Sequence, residues 1–257
     1  MEYLVVGDLH GDFETFWQIL KIFKSKKGTR IIFLGDYGDR GEKGLEIIES
    51  LIRLKKQFEE RIILLKGNHE DYSEEGEWYW APCTLPLEVE EKRKVPWKEY
   101  FRNYLYPNFF STLKLFYLIP NFALFVHAGI SSKIKSLSDL KNPSKDLYLK
   151  LLWSDPFEGN GELPNPRGLG ILFGEDVTEK VLKALGVKII IRAHEPGKAR
   201  EGFWVEHKGK VITLSSTRVY GGIPAIMEID PKERKIEFLR GPGFSERKSF
   251  PLSGDGK

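Results

Sequence analysis

Five short apolar runs in this chain each break into a cluster of metal-capable residues. Tyr3–Val6 leads into GDLHGD (Gly7–Asp12), Ile31–Leu34 into GDYGDRG (Gly35–Gly41), and Ile62–Leu65 is followed by GNHE (Gly67–Glu70). Phe122–Val126 leads into HAG (His127–Gly129), and Ile189–Ile191 into RAHE (Arg192–Glu195). Unbroken runs of this length, rich in Val, Ile, Leu or Phe, read as strands buried on both faces. Strands of one sheet would deliver all the clusters to one edge, the place where α/β folds bind ligands. Asp8, His10, Asp36, Asn68, His127 and His194 would then converge. They are too many donors for one ion and about right for two.

The segments between the runs support an α/β class. Asp12 can cap a helix whose Phe13, Phe16, Trp17, Leu20 and Phe23 follow helical spacing, and Lys43–Phe58 repeats the pattern with Leu45, Ile48, Leu51 and Ile52. The start is therefore βαβαβ with parallel strands. From Asp71 to Lys98 the periodicity dissolves into acidic and aromatic residues, the best place for a lid or specificity insertion, before a helix near Tyr100–Leu105. Another helix spans Asp176–Leu185 and ends at Gly186. Beyond Phe203 the pattern becomes strands with tight turns at His207–Gly209 and Asp230–Arg234, so the C-terminal third reads as antiparallel. One catalytic domain over residues 1–240 is expected, followed by a tail, 241–257, of Gly, Pro, Ser and charge that is expected to be poorly ordered.

Composition narrows the function classes. With 40 basic and 37 acidic residues the net charge is +3, which gives no warrant for a nucleic-acid or membrane partner. The lone Cys83 cannot form an intrachain disulfide, no apolar stretch approaches a membrane span, and with a first strand at Tyr3 no signal peptide is expected. A cytoplasmic location is expected. Few Cys and Met among abundant Lys, Glu and Ile resemble thermophile composition.

The clusters have a coherent chemistry. Asp8 and His10 can bind one ion, and Asp36 can bridge to a second held by Asn68, His127 and His194. Mixed oxygen and imidazole donors suit Mn, Fe, Co or Zn better than Ca. Two such ions, roughly 3.5–4 Å apart, would activate a bridging water for in-line displacement at phosphorus, which implies phosphoester hydrolysis. Arg40 can fork onto phosphate oxygens, and His69 is free to protonate a leaving alkoxide with Asp39 orienting it.

In this order, GDLHG, GDYGDRG, GNHE, HAG, LLWSDP (Leu151–Pro156), RGLGILFG (Arg167–Gly174) and RAHE resemble the metal-dependent phosphoprotein phosphatases, the eukaryotic-type serine/threonine phosphatase family, in a prokaryotic or archaeal-like form. The resemblance covers roughly Tyr3 to Ile229. It implies a metallophosphoesterase β-sandwich of mixed sheets flanked by helices, with a dinuclear centre. Asp8, His10 and Asp36 would hold one ion, and Asp36, Asn68, His127 and His194 the other. It further implies His69 with Asp39 as the general-acid pair, Arg40 and Arg167 as phosphate clamps, Asp155 close to the site and Tyr220 closing it. The expected cofactor is a pair of divalent ions, Mn first, with Fe, Zn, Co or Ni as alternatives. The expected partners are phosphoserine and phosphothreonine proteins or peptides.

The chain departs from that pattern in three places. Gly38 stands where the family has Val, SSTRV with Arg218 and Val219 precedes Tyr220 where relatives have SAPN, and the 71–98 stretch does not resemble the segment after GNHE in those relatives. The rival substrate class is the symmetrical dinucleoside tetraphosphates, whose hydrolases share GDxHG and GNHE. A noncatalytic scaffold is the remaining reading, although no ligand or acid is missing. Trp153 reads as core, Cys83 as an inert thiol, the Trp78, Tyr79, Trp80 cluster equally as packing or substrate platform, and His207 as solvent-exposed.

Overall fold

The structure, a computed structural model, describes residues 1–252. The chain opens with β1 (Tyr3–Val6), α1 (Phe13–Ser25), β2 (Arg30–Phe33), α2 (Gly44–Phe58) and β3 (Ile62–Leu64), and the three strands are parallel. α3 (Leu85–Arg93) lies within the 71–98 stretch and is followed by a helical run over residues 97–108. Next come β4 (Phe116–Ile119), β5 (Ala123–Val126), β6 (Asp155–Pro156), β7 (Glu162–Pro164), β8 (Ile171–Phe173) and β9 (Ile189–Arg192). The last third supplies β10 (Phe203–Glu206), β11 (Val211–Leu214), β12 (Ala225–Asp230), β13 (Lys235–Arg240) and β14 (Glu246–Phe250).

Two sheets carry the apolar runs, as the family resemblance implied, although the strand pattern alone suggested one. A six-stranded sheet has the order β14-β13-β12-β1-β2-β3, and a five-stranded sheet has the order β10-β11-β9-β5-β4. β6, β8 and β7 form a small third sheet. Successive side chains of a strand face opposite ways. In β1 and β2, Val5 and Ile32 face the second sheet, where they meet Phe125, Ile189, Ile191 and Leu214. Leu4, Val6, Ile31 and Phe33 face outward onto Phe16, Leu20, Phe23, Leu45, Ile48 and Leu51 of α1 and α2. The second sheet turns Leu124, Val126 and Ile190 onto the helices Lys145–Trp153 and Glu175–Leu185 through Leu147, Leu151, Val177 and Val181. The result is a sandwich with helices on both outer faces. Apolar residues on both sides of each strand explain the unbroken runs.

The helix boundaries follow local chemistry. Asp12 caps α1 by accepting from the Thr15 N–H, and Gly186 ends the helix Glu175–Leu185 with a left-handed φ of 65°. The expected disorder of the tail is corrected for its first part. β14 pairs with β13, and Phe244 and Leu252 are buried. Residues 253–257 of that tail lie outside the described residues. Among the described residues no helix is long and apolar enough to cross a membrane.

Candidate active site and metal centre

The loops after β1, β2, β3, β5 and β9 meet at one end of the sandwich. Their close approach depends on glycine: a Cβ at Gly35 (φ 113°) would lie 2.6 Å from the Gly67 nitrogen, and one at Gly67 would lie 2.2 Å from Asp36 Oδ1. Several non-glycine residues there also hold left-handed backbone, namely His10 (45°), Asp36 (54°), Asp39 (59°), Arg40 (69°) and His194 (72°). Each such conformation costs about 1–3 kcal/mol and persists where the surroundings over-determine it. Glu70 supplies much of that constraint. Its carboxylate accepts from the Asp36 N–H at 2.8 Å, the Tyr37 N–H at 3.0 Å and the Gly67 N–H at 3.0 Å, tying the second and third loops together.

Asp8, His10, Asp36, Asn68, His69, His127 and His194 are all buried, and they come together. Two compact sets have donor atoms within 4.8 Å of one another: His10, Asp36 and His69, and Asp36, His127 and His194. They share Asp36. Asp8 falls outside both sets, yet it borders them, accepting at Oδ1 from the His194 N–H at 3.1 Å. The proton inventory fits a cation at these sets. His10 Nδ1–H donates to the Gly38 carbonyl (3.0 Å) and His127 Nδ1–H to that of Leu34 (2.9 Å), so each neutral ring turns a bare Nε2 inward. His127 Nε2 then lies 3.0 Å from Asn68 Oδ1, 3.2 Å from His194 Nδ1 and 3.4 Å from Asp36 Oδ1, a convergence of acceptors. Asp8 Oδ2 and His194 Nε2 are buried without hydrogen-bond partners.

Electrostatics point the same way. Burial, reinforced by His69, pushes His10 down to about 3, and burial with the neighbouring His194 holds His127 well below the usual imidazole range. Burial lifts Asp8 to about 7, and burial together with Asp8 and Glu70 raises Asp36 well above the carboxylate range. Neutral imidazoles beside carboxylates that resist ionising suit added positive charge.

His69 stands apart in its bonding. Its Nδ1–H donates to Asp39 Oδ2 at 2.7 Å. Burial alone would raise Asp39, but His69 and the backbone amides of Thr84 and Leu85 outweigh it and hold Asp39 at about 2. An open cleft of about 440 Å³ faces this cluster, lined by Arg40, Trp80, Trp153, Arg167 and Tyr220 among others. Arg40 and Arg167 therefore bring two guanidinium groups to one opening. Tyr220 sits over His10 with ring centroids 5.4 Å apart. Asp155 does not reach the cleft wall. It lies behind Arg167, accepting from Arg167 Nε at 3.0 Å and from the fully buried Arg192 Nη2 at 2.9 Å.

Other placements differ from the sequence reading. Trp153 differs only in part: it packs half-buried against the core under α1 and α2, as expected, but also lines the cleft, its ring edge-on to His194 at 5.8 Å. His207 is buried rather than solvent-exposed: its Nε2–H donates to the Phe157 carbonyl at 3.0 Å, and the Thr178 hydroxyl donates to Nδ1 at 2.8 Å. Those partners lie too far along the chain for turn chemistry to reveal. Cys83 is partly buried against the Tyr72 hydroxyl, and burial pushes its thiol up to about 12, as an inert thiol requires. Glu70 and Arg192 receive no role from the sequence, and Trp80 enters it only with Trp78 and Tyr79 as packing or substrate platform. GNHE and RAHE contain the first two, but only their contacts disclose what they hold.

With this geometry in place, residues 1–198 match the family model of the calcineurin-like phosphoesterases. The chain belongs to that family. A metallophosphoesterase of this kind is similar in structure to a protein serine/threonine phosphatase from Saccharomyces cerevisiae, at 28% identity and a TM-score of 0.72, covering 90% of this chain and 73% of that one. It also resembles a cold-active protein-tyrosine phosphatase of a psychrophilic Shewanella species, at 17% identity and a TM-score of 0.67, covering 97% of this chain and 80% of that one. The second likeness concerns the fold alone. The metallophosphoesterase fold and phosphoesterase chemistry are thus those of this chain.

Proposed function

We propose that this phosphoesterase hydrolyses phosphoserine and phosphothreonine monoesters in proteins. The observation that carries the reading is the convergence on one cleft of the acceptor cluster around Asp36, the His69–Asp39 pair and the guanidinium groups of Arg40 and Arg167. Asp8, His10 and Asp36 would hold one divalent ion, and Asp36, Asn68, His127 and His194 a second, with Mn the proposed metal. When bound, such ions supply Lewis acidity and lower the pKa of water. The remaining tasks fall to the chain itself. Arg40 and Arg167 bind and orient the phosphoryl oxygens through paired N–H donors, Asp155 aiming Arg167 from behind. His69, its Nδ1–H fixed on Asp39, presents Nε2 to give a proton to the leaving alkoxide. Serine and threonine esters have poor alkoxide leaving groups, so a dedicated proton donor matters most for them. The likeness to the yeast serine/threonine phosphatase over 90% of this chain supports the same choice.

The test is a metal-depleted sample restored ion by ion and offered phosphoserine, phosphothreonine and phosphotyrosine peptides beside a dinucleoside tetraphosphate. Chelation should abolish turnover, Mn should restore it, and the serine and threonine peptides should be hydrolysed fastest. Full activity without metal would remove the mechanism. Faster turnover of the dinucleotide or of phosphotyrosine would replace the substrate.

A further inference from the structure

The 71–98 stretch, which the phosphoesterase motifs leave without a task, closes on the loop after β2 through a reciprocal pair of caps. Asp39 Oδ1 accepts from the Thr84 N–H at 2.6 Å and the Leu85 N–H at 3.0 Å, amides at the start of α3. Glu88 of α3 answers by accepting from the Leu45 N–H at 3.0 Å, at the start of α2. Each acid satisfies donors that a helix terminus leaves open. The second oxygen of Asp39 is shared. His69 Nδ1 donates to it at 2.7 Å and Trp80 Nε1 at 3.3 Å. The Trp80 ring stands edge-on to the His69 imidazole with centroids 5.8 Å apart, and only 8% of the residue is exposed. Two residues on, the Pro82 carbonyl accepts from Arg40 Nη1 at 3.1 Å. One segment therefore touches Asp39, His69 and Arg40.

We infer that the 71–98 segment is a working part of the site: Trp80 and the first amides of α3 are positioning groups that fix the Asp39 carboxylate and, through it, the ring of His69. The inference rests on the reading of His69 as proton donor. The α3 amides hold Oδ1, and Trp80 Nε1 is the donor to Oδ2 besides His69, so without it Oδ2 is placed only by the ring it must aim, about a last torsion that is broad and roughly two-fold. Donors on both oxygens set the plane of Asp39, and the His69 Nδ1–H bond then aims Nε2. Misplacement of a catalytic group by about 1 Å can cost about a hundredfold in rate, so a partial loss of aim should be measurable.

Trp80→Phe keeps an aromatic side chain, smaller than indole, and removes the N–H. On a phosphoserine peptide kcat should fall about tenfold with KM within about twofold, while p-nitrophenyl phosphate, whose leaving group needs little protonation, should lose no more than about twofold. The aryl substrate thus also reports that the fold is intact. In an Asp39→Asn background Trp80→Phe should bring little further loss, because the indole N–H acts through that carboxylate. Equal losses on both substrates, or an additive loss in that background, would overturn the role. His69→Asn assayed in parallel separates the two levels. If it shows no leaving-group dependence, the proton-donor reading itself fails. If it does while Trp80→Phe does not, only the positioning inference fails.

Discussion

The strand-end loops and the 71–98 segment meet at Asp39, yet they are built in opposite ways. The loops place Asp8, His10, Asp36, Asn68, His127 and His194 by backbone: each lies just beyond a buried strand, several adopt left-handed φ, and glycines permit loop-to-loop contact within van der Waals distance. The segment is placed by side chains. Its α3 is held through Asp39 and Glu88, its Trp80 through an indole N–H, and Arg93 pairs with Glu49 of α2. A backbone-built region writes its geometry into short motifs. A region held by side chains leaves only partners that are scattered along the chain.

The comparison can be broken most severely at the loops. His194→Ala should lose one of two bound metals and nearly all activity, because a buried site short of one ligand leaves its ion incompletely neutralised. His207→Ala, in the same third of the chain, should keep both metals and its turnover while losing about 1–3 kcal/mol of stability from two stranded buried partners. Metal content and chemical denaturation of the two variants decide this, and metal loss from His207→Ala would require the second ligand set to be redrawn.

Next in size is His69→Asn, at the junction of the two regions. It should retain its metal yet lose about two or more orders of magnitude on an alkyl phosphate, with a smaller loss on p-nitrophenyl phosphate. An equal deficit on both substrates would show that His69 is not the acid.

A smaller effect concerns stability without metal. Asp8 is raised to about 7 by burial, from an ordinary value near 3.8. Between those values the folded chain binds the proton that the unfolded chain releases, so the carboxylate costs stability as pH rises through that window, and the cost is complete above about 7. Asp8→Asn should therefore raise the Tm of the metal-free protein at pH 8 and lose this advantage as pH falls toward about 4. Melting curves in chelator across that range test the sign, and a gain that grew toward low pH would contradict it.

The smallest expected effect is at Gly38, where the two regions adjoin. A Cβ there would meet only Gly44 Cα, Ile48 Cδ1 and Leu85 Cδ1, each at 3.9 Å, and φ is not in the left-handed region. Gly38→Ala should stabilise by about 0.4–1 kcal/mol by restricting the unfolded chain, and should leave activity near normal. A loss of stability would mean that the loop needs glycine for conformational reasons.

The residues by themselves determined local features. Continuous apolar runs marked strands buried on both faces, Asp12 and Gly186 marked helix ends, and the residues after each run named the metal-capable and phosphate-binding groups, since the end of a strand fixes the position of the next few residues. Which sheet each strand joined was decided only by tertiary packing: a run that is apolar on both faces is equally satisfied in either layer, so the runs alone suggested one sheet and only the family resemblance implied the sandwich. The burial of His207 against Thr178 and Phe157, the retreat of Asp155 behind Arg167, and the bracing of Asp36 by Glu70 were likewise decided in three dimensions. So was the grip of Trp80 and α3 on Asp39. A hydrogen bond between residues far apart in sequence leaves no periodicity and no spacing to read, because its energy depends on where the fold brings two groups and not on the chain that lies between them.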